Sequence, residues 1–268
     1  DGRAARDLRA RPCGAAPAVS LPVSLGAIRG LVKELAAGDF RPLAIGGAQE
    51  LARALARELS RDGDSTAVRV GGPEGALLYV HVGTGDDEAE LKRARRARVP
   101  IVAVTSRDEP LPFVLATDVV HVGPGEPLPV DDVVEAVAVR LGEEAAPLAG
   151  RLPVLRRAVC RRIVASSARK NGILAAAVFL PGADLPLLAL NQVRMLLRLD
   201  QAYGLELDPR ARLPEVAATV GAGLGLRTVA RELLDLVPVA GWAVKGGVAY
   251  AGTRALGEAA IRRLETIH

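Results

Sequence analysis

The chain has 268 residues, 50% of them hydrophobic by type but only 3% aromatic, with 35 Lys and Arg against 31 Asp and Glu. That length buries one large core or two smaller ones. The scarcity of aromatics excludes an aromatic-rich β-sandwich, and a formal charge of +4 is too small to imply a nucleic-acid partner. Two cysteines, Cys13 and Cys160, exclude a disulfide framework and indicate a reducing compartment.

Residues 1–39 read as an Arg/Ala/Pro/Gly-rich tail and one helix. The helix has apolar residues at Leu25, Ile28, Leu31, Val32 and Leu35, which is helical spacing. Phe40 to Leu59 then reads as a short buried strand over Pro42–Ile45, a glycine turn at Gly46-Gly47 and a helix with Leu51, Leu55 and Leu59 on one face. A strand, a glycine turn and a helix N-terminus make a phosphate cradle, because backbone N–H groups and the helix dipole converge on the turn.

Strand candidates follow at Thr66–Val70, Ala76–Val82, Val99–Val104 and Asp118–Val122. ALLYVHV and VPIVAV are continuous apolar runs, the mark of strands covered on both faces. Asp86–Arg98 reads as a helix with its acids first and five basic residues last, the order that complements the helix dipole. Val130–Leu141 closes the region, with Val133, Val134 and Val137 inward. Strands alternating with helices give a mostly parallel sheet, with any ligand at the strands' C-terminal ends. Those ends carry Gly46-Gly47, Gly83-Thr84-Gly85 and Thr105-Ser106-Arg107-Asp108.

Over residues 40–142 this order of elements resembles an Era-like P-loop GTPase domain whose motifs are eroded. A phosphate loop requires G-x-x-x-x-G-K-[ST]. Counted from Gly46, those positions hold Leu51, Ala52 and Arg53. The D-x-x-G position reads Gly72-Pro73-Glu74-Gly75, and N-K-x-D reads Thr105-Ser106-Arg107-Asp108. Loss of the lysine, the hydroxyl and the aspartate removes the phosphate cation and the magnesium ligands. No GTP hydrolysis is expected. A guanine nucleotide, if bound, would rest on Gly46, Gly47, Thr105, Arg107 and Asp108. His81 and His121 sit in apolar strands and read as core residues, and Cys160 reads as a structural thiol. No metal-ligand spacing and no catalytic set is present.

Gly142–Gly150 reads as a linker to an all-helical region over 151–268. Arg151–Lys170 holds seven basic residues and no acid, with Val154, Leu155, Val159, Ile163 and Val164 interleaved. This is either a basic amphipathic helix for an anionic membrane surface or a helix with a solvated basic face. Ile173–Leu190 is long enough to span a bilayer but is broken by Pro181-Gly182-Ala183-Asp184-Leu185-Pro186. It therefore reads as helix, turn and a second helix from about Leu187 to Tyr203, stopped by Gly204. Pro214–Leu236 begins with a helix containing Gly221, Gly223 and Gly225, and the last helix carries small residues at Ala243, Gly247 and Ala251.

From about Arg156 onward the chain resembles the bacterial domain of unknown function found fused to Era-like GTPases and in YcjF-type membrane proteins. The carrying residues are LPGADLPLLALNQVRMLLRLDQAYGLEL and GAGLGLRTVARELLDLVPVAGWAVKGGVAYAGTRALGEAAI. The resemblance implies a protein of the bacterial cytoplasm or inner membrane, without implying a reaction. The reading is a pseudo-GTPase binding or scaffold protein whose helices associate with membrane, with partner helices or with a second copy. Two alternatives stay open. One is a nucleotide-binding GTPase using Arg53 or Arg107, and the other is an α/β enzyme centred on Thr84, Thr105 and Asp108.

Overall fold

The computed structural model describes residues 25–177, 185–207 and 241–267, apart from Thr84, Asp86, Pro124 and Glu206. Its first helix, α1 (Leu25–Ala36), buries Ile28, Leu31, Val32 and Leu35 as the spacing predicts. The sheet contains β1 (Leu43–Gly47), β2 (Val68–Val70), β3 (Leu78–Val82), β4 (Ile101–Thr105) and β5 (Val119–His121). All neighbours are parallel and the order is β2-β1-β3-β4-β5. This is a doubly wound α/β arrangement, whose switch point lies between β1 and β3.

Alternation along the strands sorts the two faces. Leu43, Ile45, Leu78, Val80 and Val82 face α2 (Gln49–Leu59) and α4 (Val130–Leu141). Ala44 and Tyr79 face α3 (Glu88–Arg96). On α2 the buried stripe is Ala52, Leu55 and Leu59; Leu51 is 47% exposed. The spacing predicts Leu51 inward, but Ala52 is one 100° step round and stands over the sheet. On α4, Val133, Val134 and Val137 point inward as the pattern predicts.

The two glycines are not a turn. β1 runs through both, with Gly46 opposite His81 and Gly47 opposite Val82. One residue, Ala48, joins β1 to α2. Gly47 is required there: at φ +93°, a Cβ would stand 1.9 Å from the Val82 carbonyl oxygen.

Gly142–Gly150 is not an exposed linker. It forms a tight turn followed by α5 (Ala146–Arg151), which buries Ala146, Pro147, Leu148 and Ala149. The main core continues through it from the sheet into α6 (Arg156–Ala177), α7 (Leu185–Ala202) and α8 (Gly241–Ile267). α1 joins this helical layer, packing Ile28, Leu31, Val32 and Leu35 on Ala189, Val193 and Leu197 of α7.

α6 is the central helix of this layer and has two faces. It buries Val159, Cys160, Ile163, Val164, Ser167, Ala168, Asn171 and Ala175 at helical spacing along one broad face and leaves Arg161 and Arg169 exposed on the other. Several basic residues of 151–170 have partners within the chain, although Arg161 and Lys170 stay exposed. Arg161 pairs with Glu135 at 2.8 Å, Lys170 pairs with Glu143, and the Arg156 guanidinium lies 5.6 Å over the Tyr203 ring.

α8 lies along α6 through small residues. A Cβ on Gly246 would meet the Gly172 carbonyl oxygen at 2.9 Å, and one on Gly257 would meet Val164 at 2.5 Å. The contact stripe is therefore Gly246, Thr253 and Gly257. Gly247 and Ala251, predicted as the small-residue face, are exposed, and the side chain of Ala243 lies outside the described set. A buried polar seam crosses the bundle: Asn171 Nδ2 donates to Thr253 Oγ1 at 2.9 Å, and Asn191 Nδ2 to Asn171 Oδ1 at 2.7 Å. Gly204, at φ +75°, ends the turn after α7 as predicted. The break at Pro181–Asp184 and the glycine helix at 221–225 lie outside the described residues.

Candidate functional site

The C-terminal edge of the sheet at the β1/β3 switch point is the candidate site, because strand ends and helix starts meet there. On the β1 side, Ala48 N–H donates to the Val82 carbonyl at 2.9 Å. The Tyr79 hydroxyl occupies the space a Gly46 side chain would need, 2.2 Å from an ideal Cβ. Gly46 and Gly47 thus lie in the ladder, with the place of a cradle filled from within the protein.

The β3 side holds a buried polar network. His81, 1% exposed, donates from Nε2 to Asp87 Oδ1 at 2.8 Å. Its Nδ1 faces the Tyr79 hydroxyl at 3.4 Å and Glu90 Oε2 at 3.5 Å. The Tyr79 hydroxyl donates to Glu90 Oε2 at 2.7 Å. Burial, reinforced by the Glu90 carboxylate, raises the phenol well above its ordinary value. Asp87 precedes the first residue of α3 without capping that helix, and its other oxygen accepts from Gly85 N–H at 3.3 Å. The network ties the end of β3 to the first turn of α3. Tyr79, His81 and Asp87 are buried and satisfied, while the Glu90 side chain is 40% exposed and brings the network to the surface.

Thr105 ends β4 and is buried; its Oγ1 accepts from Arg107 N–H at 3.1 Å. Arg107 reaches back across the edge and donates to the Gly85 carbonyl at 3.1 Å. Asp108 is exposed. β3 lies between β1 and β4, and Thr105 lies two residues beyond Ala103, which shares the rung of Gly46, so Gly46 and Thr105 stand about 12 Å apart. The structure brings Thr105 and Arg107 together and keeps both apart from the glycines. Thr84 lies outside the described residues.

His81 is a satisfied core residue as the apolar run predicts, whereas His121 is exposed on the edge strand. The roles of Tyr79, Asp87 and Glu90 are not legible as a motif. The available signal was distance: six residues separate His81 from Asp87 around a glycine-rich turn, which folds the helix start back over the strand end. Cys160 is buried, and burial pushes its thiol up to about 12, which leaves it unreactive.

Among the described residues no three His, Cys, Asp or Glu side chains are grouped to hold a metal, and no helix is long and apolar enough to cross a membrane. Compared with known proteins, the chain matches no family model, no curated protein and no solved structure.

Proposed function

We propose that this chain is a non-catalytic binding or scaffold protein, built on a sheet of nucleotide-binding type whose ligand edge has been closed. The observation that carries this reading is the one-residue connection between β1 and α2. A phosphate loop wraps its anion with several successive backbone N–H groups between strand and helix. Here the strand persists through Gly47 and the next N–H bonds to Val82. Tyr79 fills the space beside Gly46, and Glu50 sits in the first turn of α2, where it repels phosphate. The missing lysine and magnesium ligands agree with that geometry.

The helical layer then supplies the binding function, toward a membrane surface, partner helices or a second copy. Calorimetric titration of GTP, GDP and ATP with magnesium tests the first half of the proposal. No heat up to millimolar nucleotide is expected. Micromolar binding of a guanine nucleotide would overturn it and restore a ligand role to Thr105, Arg107 and Asp108.

A further inference from the structure

The basic residues of 151–170 were the sequence's candidate for an anionic surface, yet several of them are already neutralised by partners within the chain: Arg151 by Asp64, Arg161 by Glu135 and Lys170 by Glu143. A second basic cluster is not. α3 turns Leu91 and Ala94 into the sheet, which sends Lys92, Arg95 and Arg96 outward; Arg98 follows just beyond the helix. All four are exposed, and among the described residues none of them has an ion-pair partner. Their neighbour Arg93 is paired, to Glu74 at 2.7 Å. Lys92, Arg95 and Arg96 are spaced i, i+3, i+4, so like charges stand on one face, which weakens an isolated helix. The acids of α3, Glu88 and Glu90, lie in its first turn, at the other end.

Beside this helix runs the connection between β4 and β5. Leu111 and Val114 pack on the small core that contains Leu91, Ala94 and Val99. Phe113 and Leu115 turn the other way and are 45% and 59% exposed. Phe113 is held at φ +66°, a conformation that disfavours an aromatic residue. One small core therefore carries both a cationic cluster and an outward pair of large apolar side chains.

We infer that Lys92, Arg95, Arg96 and Arg98, with Phe113 and Leu115, form a docking surface for an anionic lipid bilayer. The cations meet the headgroup phosphates, and the apolar pair enters the boundary between headgroups and acyl chains. Three of the four cations are Arg, the side chain whose planar fork matches phosphate oxygens. A nucleic-acid backbone would use the cations but offers nothing to the outward Phe and Leu. The inference rests on the binding-protein reading and adds to the helical layer a second binding surface, on α3 and the β4–β5 connection, with a named partner; it stands whether or not nucleotide binds the sheet edge.

The test is co-sedimentation of the full chain at low salt with two kinds of vesicle. One is phosphatidylcholine alone; in the other about one lipid in three is phosphatidylglycerol. Binding to the anionic vesicles only is expected. Arg95→Gln with Arg96→Gln should lower partitioning about thirtyfold, from two surface charges lost. Phe113→Gly should also lower it while leaving the thermal midpoint unchanged or higher, because glycine accepts that φ readily. The control pair is Arg157→Gln with Arg169→Gln on exposed positions of α6. If the control pair abolishes binding and the α3 pair does not, this surface is wrong although membrane attachment stands. Indifference of the wild-type chain to anionic vesicles overturns the inference outright. So does retention of a single-stranded RNA homopolymer, lost in the α3 pair, by a chain that ignores vesicles.

Discussion

Asp64 and Arg151 hold each other twice: Asp64 N–H donates to the Arg151 carbonyl at 2.9 Å, and Arg151 Nε donates to Asp64 Oδ2 at 2.9 Å. Arg151 also donates to the Phe40 carbonyl and to Thr66 Oγ1, at 3.0 and 2.9 Å. One guanidinium at the end of α5 thereby ties together the chain segments that enter β1 and β2. The charged residue that opens the supposed basic helix is in fact a clasp at the N-terminal edge of the sheet.

This clasp makes stability depend on acid pH. The hydroxyl and the N–H of Thr66, and then Arg151, hold the Asp64 carboxyl down to about 2. An unfolded Asp titrates near about 3.9. The folded value is the lower one, so the contribution is complete above about pH 4 and is lost as pH falls through about 2. Urea midpoints of wild type and Asp64→Asn should differ most above pH 4 and converge toward pH 2. A difference independent of pH would show that the ionised carboxylate is not what matters.

Gly47→Ala should destabilise the fold by at least about 4 kcal/mol, because the added carbon would overlap the Val82 carbonyl and β1 and β3 cannot separate without breaking the ladder. Gly75→Ala is the comparison. Gly75 also has positive φ, +70°, but open space around it, so only the conformational cost of about 1 kcal/mol remains. Equal effects in chemical denaturation would mean that packing against Val82 is not tight.

His81→Leu should cost about 3 kcal/mol or more, since it leaves the buried Asp87 without its imidazole partner. The double variant His81→Leu with Asp87→Leu should be less damaging than the sum of the two single changes. Strict additivity in the double-mutant cycle would show that the two side chains do not interact.

On α8 the sign of a Gly→Ala change should depend on position. Gly247 faces open space, so Gly247→Ala should raise stability by about 0.5–1 kcal/mol through helix propensity. Gly257 abuts Val164, so Gly257→Ala should lower it by about 1–3 kcal/mol. Thermal midpoints of the two variants moving in the same direction would contradict the α6–α8 packing described above.

The sequence by itself determined the alternation of parallel strands and helices, since strands covered on both faces must be apolar throughout and read as LYVHV and IVAVT. It also determined the inward faces of α1 and α4, because helical spacing alone places those residues on one side. Tertiary structure decided what pairing and charge neutralisation decide. Gly46-Gly47 has the composition of a turn, and only the neighbouring β3 draws it into a strand. Arg156, Arg161 and Lys170 have the composition of a basic face, and Arg161 and Lys170 are exposed as that composition predicts; only the fold supplies their partners Tyr203, Glu135 and Glu143, remote in sequence. His81 and Asp87 carry no signature at their spacing until the chain reverses and sets one over the other. Propensity and periodicity are local, whereas a partner's identity depends on residues that only the folded chain brings within reach.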